Sequence, residues 1–133
     1  MIQKEFTKIL EVEARMDPRP KTIFCDIDGT LVKHRMPGFI ASSDPEIIDG
    51  TLEKLHEWDK KGYNIILVTG RKESLREITE RELSSLGIFY DRLIMGIGGG
   101  HRVLINDRKA DHPGDTAHAF CIDRNEGISG IDI

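Results

Sequence analysis

Three short stretches carry side chains able to do chemistry on an anionic substrate. Asp26-Ile27-Asp28-Gly29-Thr30 follows the apolar run Thr22-Ile23-Phe24-Cys25, Thr69-Gly70-Arg71 closes a second apolar run, and Asn106-Asp107-Arg108-Lys109-Ala110-Asp111 closes a third. Asp26 and Asp28 are two positions apart, which puts both carboxylates on one side of an extended chain, close enough to share a hard cation. Left alone, two such carboxylates repel, which raises one pKa and spoils a nucleophile. Magnesium offsets that charge and also holds a phosphate oxygen. A carboxylate nucleophile would divide phosphate-ester hydrolysis into two displacements, with positioning and charge neutralisation supplying most of the rate. In that chemistry one carboxylate would attack, and the other would first protonate the leaving alkoxide and then take a proton from water. Gly29 lets the turn bend sharply, and Thr30 can hydrogen-bond within it to hold the carboxylates.

The elements that must position these groups follow from the apolar periodicity. Thr22 to Cys25 and Tyr63 to Thr69 are continuous apolar runs rich in β-formers, as in strands buried on both faces of a parallel sheet. From Pro45 to Lys61 the apolar positions Ile47, Ile48, Leu52, Leu55 and Trp58 recur at helical spacing, with Gly62 as the stop signal. Lys72 to Leu86 repeats the pattern and ends at Gly87. Further strands are expected at Arg92 to Met95, Arg102 to Asn106 and Ala117 to Ile122. The result is an α/β domain with a mainly parallel sheet and flanking helices. Ligands of open parallel sheets bind outside the carboxyl ends of the strands, where Asp26, Thr69 and Asp107 are expected. Residues 1 to 16 show loose helical periodicity in Phe6, Ile9, Leu10 and Val12, stopped by Asp17-Pro18-Arg19-Pro20. We therefore divide the chain into a leader over 1–20 and a core over 21–133.

Composition narrows the classes. At 133 residues one compact core is expected, and 38% hydrophobic with 32% charged residues suits a folded chain rather than a disordered one. A formal charge of −4 gives no footprint for gripping extended nucleic acid. Cys25 and Cys121 both sit in apolar runs and read as reduced core thiols. No apolar run approaches a bilayer span and no signal peptide is visible, so a cytoplasmic location without membrane contact is expected. The histidines show no metal-ligand spacing and read as surface or loop residues, whereas Trp58 lies on the apolar stripe of its helix.

DIDGTL after one strand, TGR after the next and NDRKAD after a third resemble the haloacid dehalogenase superfamily of phosphatases over roughly residues 21 to 123. The resemblance implies a Rossmann-like sheet and a Mg2+ cofactor. It assigns Asp26 as nucleophile, Asp28 as general acid and base, Thr69 with Gly70 and Arg71 as phosphate loop, and Asp26, Asp28 and Asp107 as metal ligands. Asp111 matches the second acid of the last motif, although it could equally cap a turn ahead of Pro113 and Gly114.

The chain departs from that family in two ways. Only Gly96-Ile97-Gly98-Gly99-Gly100-His101 separates Met95 from Arg102. A parallel crossover needs a dozen or more residues, so Arg92 to Met95 should run antiparallel or fall short of a full strand. The helix that normally carries the family's phosphate-holding cation is then missing. Arg102 would lie about 16 Å back along an extended strand from Asp107, so Lys109 is the first candidate replacement and Arg71 the second. There is also no room for a cap domain, only for a flap over Lys33 to Ser43 carrying Met36, Phe39 and Ile40. An open site is covered by a large substrate or by a second subunit of a homo-oligomer.

The leading expectation is a phosphomonoesterase for a sugar phosphate or related small metabolite, since Val103 to Ile128 looks most like capless phosphatases of polysaccharide biosynthesis. The alternatives are a polynucleotide-end phosphatase and a catalytically silent binding or regulatory module.

Overall fold

The computed structural model describes residues 17–133, and the expected N-terminal helix pattern over 1–16 lies outside the described residues. The described residues group into two compact units: residues 21–100 with 120–133, and residues 17–20 with 101–119.

The larger unit is built on three parallel strands in the order β1 (Thr22–Asp26), β2 (Asn64–Val68) and β3 (Arg92–Ile94). Helix α1 (Thr51–Lys60) makes the first crossover and helix α2 (Arg76–Ser85), preceded by a 3-10 turn over Glu73–Leu75, makes the second. Alternation along the strands puts Ile23, Cys25, Ile65 and Leu67 in the core with Leu55 and Trp58 of α1 and Leu83 of α2. Trp58 is only 1% exposed, as the apolar stripe requires. Residues 120–133 contribute Ile128, Ile131 and Ile133 to this cluster. Asp26 pairs in register with Val68, and Val68 with Ile94, so the carboxyl ends of the three strands lie side by side. The small α/β architecture with its parallel sheet is thus the one the apolar runs specify.

Several boundaries differ. The first helix begins at Thr51, not Pro45, because residues 46–48 extend back along the loop after β1. Lys33 donates to the Glu46 carbonyl at 2.8 Å and Ile48 to the Leu31 carbonyl at 2.9 Å. Ile47 and Ile48 mimic helical spacing, yet Gly50 stands at φ +88° just ahead of the helix and breaks the continuity. The buried Thr51 hydroxyl then donates to the Leu31 carbonyl at 3.0 Å, fastening the helix start to the loop.

β3 runs parallel to β2, which corrects the antiparallel alternative, and at three residues it falls short of the expected Arg92 to Met95. The antiparallel alternative assumed a strand at Arg102 to Asn106. No strand forms there or at Ala117 to Ile122, and Val103 and Ile105 are 83% and 90% exposed. β-Branched composition alone does not make a strand, because what it favours is packing on a pleated, half-buried surface. With no strand at 102–106, the short glycine link needs no crossover helix. β3 is instead reached through α2, which satisfies the length a parallel connection demands. Cys25 is buried as expected, but Cys121 is exposed, for the same reason that its segment forms no strand.

The described residues of the smaller unit make local polar contacts. Arg19 pairs with Asp17, Arg108 with Asp115 at 2.7 Å, and the Thr116 hydroxyl donates to the Asp107 carbonyl.

Candidate active site

Asp26 is the last residue of β1 and is exposed. The chain then folds into a tight loop in which Gly29 donates to the Val32 carbonyl at 2.7 Å and Leu31 to the Ile27 carbonyl at 2.9 Å. Ile27, Leu31 and Val32 anchor this loop in the core at 0–1% exposure. Gly29 stands at φ +81°, a conformation that L side chains rarely adopt, and an added Cβ would lie 3.2 Å from Arg124 Cγ. The loop returns Thr30 to its start, where the hydroxyl donates to Asp26 Oδ2 at 3.2 Å. Thr30 thus holds the carboxylate expected to attack.

Thr69 follows β2 directly and is 1% exposed. Its amide donates to the Ile94 carbonyl at 2.9 Å, and its hydroxyl oxygen accepts the Arg71 amide at 3.1 Å. The hydroxyl keeps its own proton to donate, the property a phosphoryl-binding threonine needs. Gly70 is required by close approach, since a Cβ there would stand 2.6 Å from the Gly98 carbonyl oxygen.

Arg71 turns inward. Its Nε and Nη2 donate to the two oxygens of Asp28, both at 2.8 Å, and its Nη1 donates to Thr79 Oγ1 and Glu82 Oε2, both at 3.0 Å. Burial works against the charge on this guanidinium, but the bonds and charges of Asp28 and Glu82 outweigh it and raise its pKa. The side-on fork fixes the Asp28 carboxylate in one orientation. Glu82 also accepts two bonds from Arg35 of the flap, at 2.8 and 2.9 Å. Arg35 in turn donates to the Ser43 carbonyl at 2.8 Å. The flap itself holds a 3-10 turn over Pro37–Ser42, with Ile40 buried and Met36 and Phe39 exposed.

Asp26, Asp28, Thr30, Thr69, Gly70 and Arg71 therefore all belong to the larger unit, whereas Asp107, Lys109 and Asp111 belong to the smaller one. There Lys109 Nζ donates to Asp107 Oδ1, and that bond lowers the Asp107 pKa. Asp111 is exposed and lies 3.8 Å from His112 Nε2. No strand precedes Asp107, so the strand-end placement expected for it does not hold. Glu82, Thr79 and Arg35 are additions that sequence reading missed. Thr79 and Glu82 are polar residues three apart flanking Leu83 on the inward side of α2, an interruption of the apolar stripe that could have marked them.

Among the described residues no cluster of three or more His, Cys, Asp or Glu side chains could by itself hold a metal ion. Magnesium does not require one, because it is commonly held by one or two carboxylates plus waters and substrate phosphate. With the Asp28 side chain turned onto Arg71, the donors that would hold a cation in this unit are the Asp26 carboxylate and the Asp28 backbone carbonyl. Both are hard oxygens, and the set fits magnesium.

A parallel sheet with a DxDGT loop after one strand and a TGR loop after the next defines a haloacid dehalogenase-like phosphatase fold. Residues 23–98 match the family model described as "PITM 1-3, LNS2 domain", and the chain belongs to that family. The match includes Asp26, Asp28, Thr69 and Arg71. Among solved structures, the chain is similar to a chain of the "Pnkp1/Rnl/Hen1 RNA repair complex", with 35% identity and a TM-score of 0.52 over 59% of this chain. A second structure of the Pnkp1/Rnl/Hen1 complex gives 30% identity and a TM-score of 0.54 over 65% of this chain. The aligned parts span only 26% and 31% of those chains. No curated protein matches.

Proposed function

We propose that the chain is a magnesium-dependent phosphomonoesterase that works through an aspartyl-phosphate on Asp26. The supporting observation is that the paired carboxylates have different partners. Asp26 is exposed at the strand end beside the Thr30 hydroxyl, whereas Asp28 is clamped by Arg71. That difference suits one nucleophile and one proton-transfer group. An Asp26 oxygen attacks phosphorus, the ester P–O bond breaks, and Asp28, having taken up a proton from solvent, delivers it to the departing alkoxide. Water then attacks the same phosphorus as Asp28 takes its proton back, releasing phosphate and the free carboxylate. Thr69 donates its hydroxyl proton to the transferring group. Bound magnesium would neutralise charge on the phosphoryl oxygens.

We assign a small phosphate ester, such as a sugar phosphate, as substrate class, since the formal charge of −4 disfavours a long polyanion. A second reading, a polynucleotide-end phosphatase, is favoured by the likeness to a chain of an RNA repair complex. Phosphate release from sugar phosphates, nucleotides and end-phosphorylated oligonucleotides, with magnesium and with excess chelator, separates the two. Full turnover in chelator would rule out the metal, and preference for the oligonucleotide would select the second reading. Exposed Met36 and Phe39 on the flap also support a second copy as the cover of the open site, read by light scattering across a dilution series.

A further inference from the structure

Four charged side chains form one continuous chain of bonds inside the larger unit, in the order Arg35, Glu82, Arg71, Asp28. Their side chains are 11%, 11%, 2% and 22% exposed in that order. A single carboxylate oxygen, Glu82 Oε2, accepts from both arginines, at 2.8 Å from Arg35 and 3.0 Å from Arg71. The far hand of Arg35 clasps the end of the flap through the Ser43 carbonyl, and the far hand of Arg71 holds both oxygens of Asp28.

We infer that Glu82 is a positioning residue that couples the flap to the Asp28 carboxylate. The inference rests on the phosphatase reading above. The shared oxygen is the reason for the coupling. Any displacement of residues 35–43 that draws Arg35 away changes the share of Glu82 Oε2 left to Arg71, and Arg71 sets the aim of Asp28. A substrate that touches the flap can therefore adjust the group that protonates its own leaving oxygen. An apolar replacement of Glu82 would leave two buried guanidiniums short of an anion, which is a structural cost. The positional role goes further, because it predicts a defect confined to proton transfer.

Leaving-group dependence separates the two. An alkyl ester needs a proton from Asp28 as its oxygen departs, whereas p-nitrophenolate leaves without one. Steady-state kinetics of the full chain, Glu82→Gln and Arg35→Met, should be measured with p-nitrophenyl phosphate and glycerol 2-phosphate, with circular dichroism as the check of folding. Glu82→Gln is expected to lower kcat/KM for the alkyl ester by about 10- to 100-fold, a part of the roughly 100- to 10,000-fold that a general acid contributes, and that for the aryl ester by no more than about 3-fold. Arg35→Met should shift the same ratio in the same direction, and the double variant should be no worse than Glu82→Gln, because both act through one oxygen. Equal losses on both esters, in Glu82→Gln or, should that variant not fold, in Arg35→Met, would overturn the inference. A wild-type chain that hydrolyses neither ester, or only the aryl ester, would defeat the underlying mechanism, and the coupling with it.

Discussion

Arg71 meets Asp28 side-on, with Nε on Oδ2 and Nη2 on Oδ1, both at 2.8 Å, across 43 residues of sequence. The guanidinium is almost wholly buried, so its charge is answered by protein and not by water. Removing it leaves Asp28 and Glu82 without their shared cation. Arg71→Ala should cost about 3–5 kcal/mol of stability, the range for breaking a partner out of a buried pair. Arg71→Lys should recover only part of this, because an ammonium cannot span both oxygens of Asp28 as the fork does. Urea denaturation of the three proteins measures both effects, and an Arg71→Ala chain as stable as wild type would show the pairing to be without consequence.

Asp26→Asn should abolish phosphate release while leaving the fold unchanged. The amide is nearly isosteric and exposed, and it can still accept the Thr30 hydroxyl bond, but it cannot form the acyl phosphate. Residual turnover above about one per cent of wild type, well beyond what loss of a nucleophile allows, would exclude the covalent route.

Gly70→Ala tests the phosphate loop through packing alone. The new methyl would meet the Gly98 carbonyl oxygen at 2.6 Å and its carbon at 3.0 Å, and backbone cannot rotate aside as a side chain can. The glycine loop after β3 must shift, at about 1–3 kcal/mol, the usual range for overpacking. Thr69 sits next to it, so activity should fall more than stability. Thermal melts beside initial rates decide this, and an unchanged melting temperature would mean that the loop yields freely.

The legible parts of this molecule are those fixed by local pattern. The apolar runs ending at Asp26 and Thr69 mark β1 and β2, and the glycines at 62 and 87 mark the ends of both helices. These signals lie within a few residues of what they specify. The Arg71 contacts were not legible, because they depend on α2 presenting Thr79 and Glu82 to a loop from another strand. Nor was the fate of Val103 to Ile105, whose composition is that of a strand although the segment is exposed. Strand formation needs a neighbour to pair with, and composition does not supply one.

The two thiols should behave as different chemical species. Cys121 is exposed, whereas Cys25 is buried on β1 and its pKa is pushed up to about 12, first by burial and then by the neighbouring charge of Asp26. The thiolate is the reactive form. At pH 8 a thiol of that pKa holds a thiolate fraction of only about one in 10⁴, so reagent should modify Cys121 quickly and Cys25 only after unfolding. The same shift has a consequence for stability. The folded value lies above the ordinary value of 9.0, so the stabilisation is complete below pH 9 and is lost as pH rises toward 12. Titration with a chromogenic disulfide should therefore count one fast thiol in native protein and two in guanidinium chloride. Denaturation midpoints should fall between pH 9 and 11 in wild type, and less steeply in Cys25→Ala compared with its own value at pH 8. Two fast thiols in the native chain would show that the packing of β1 against α1 leaves Cys25 open to solvent.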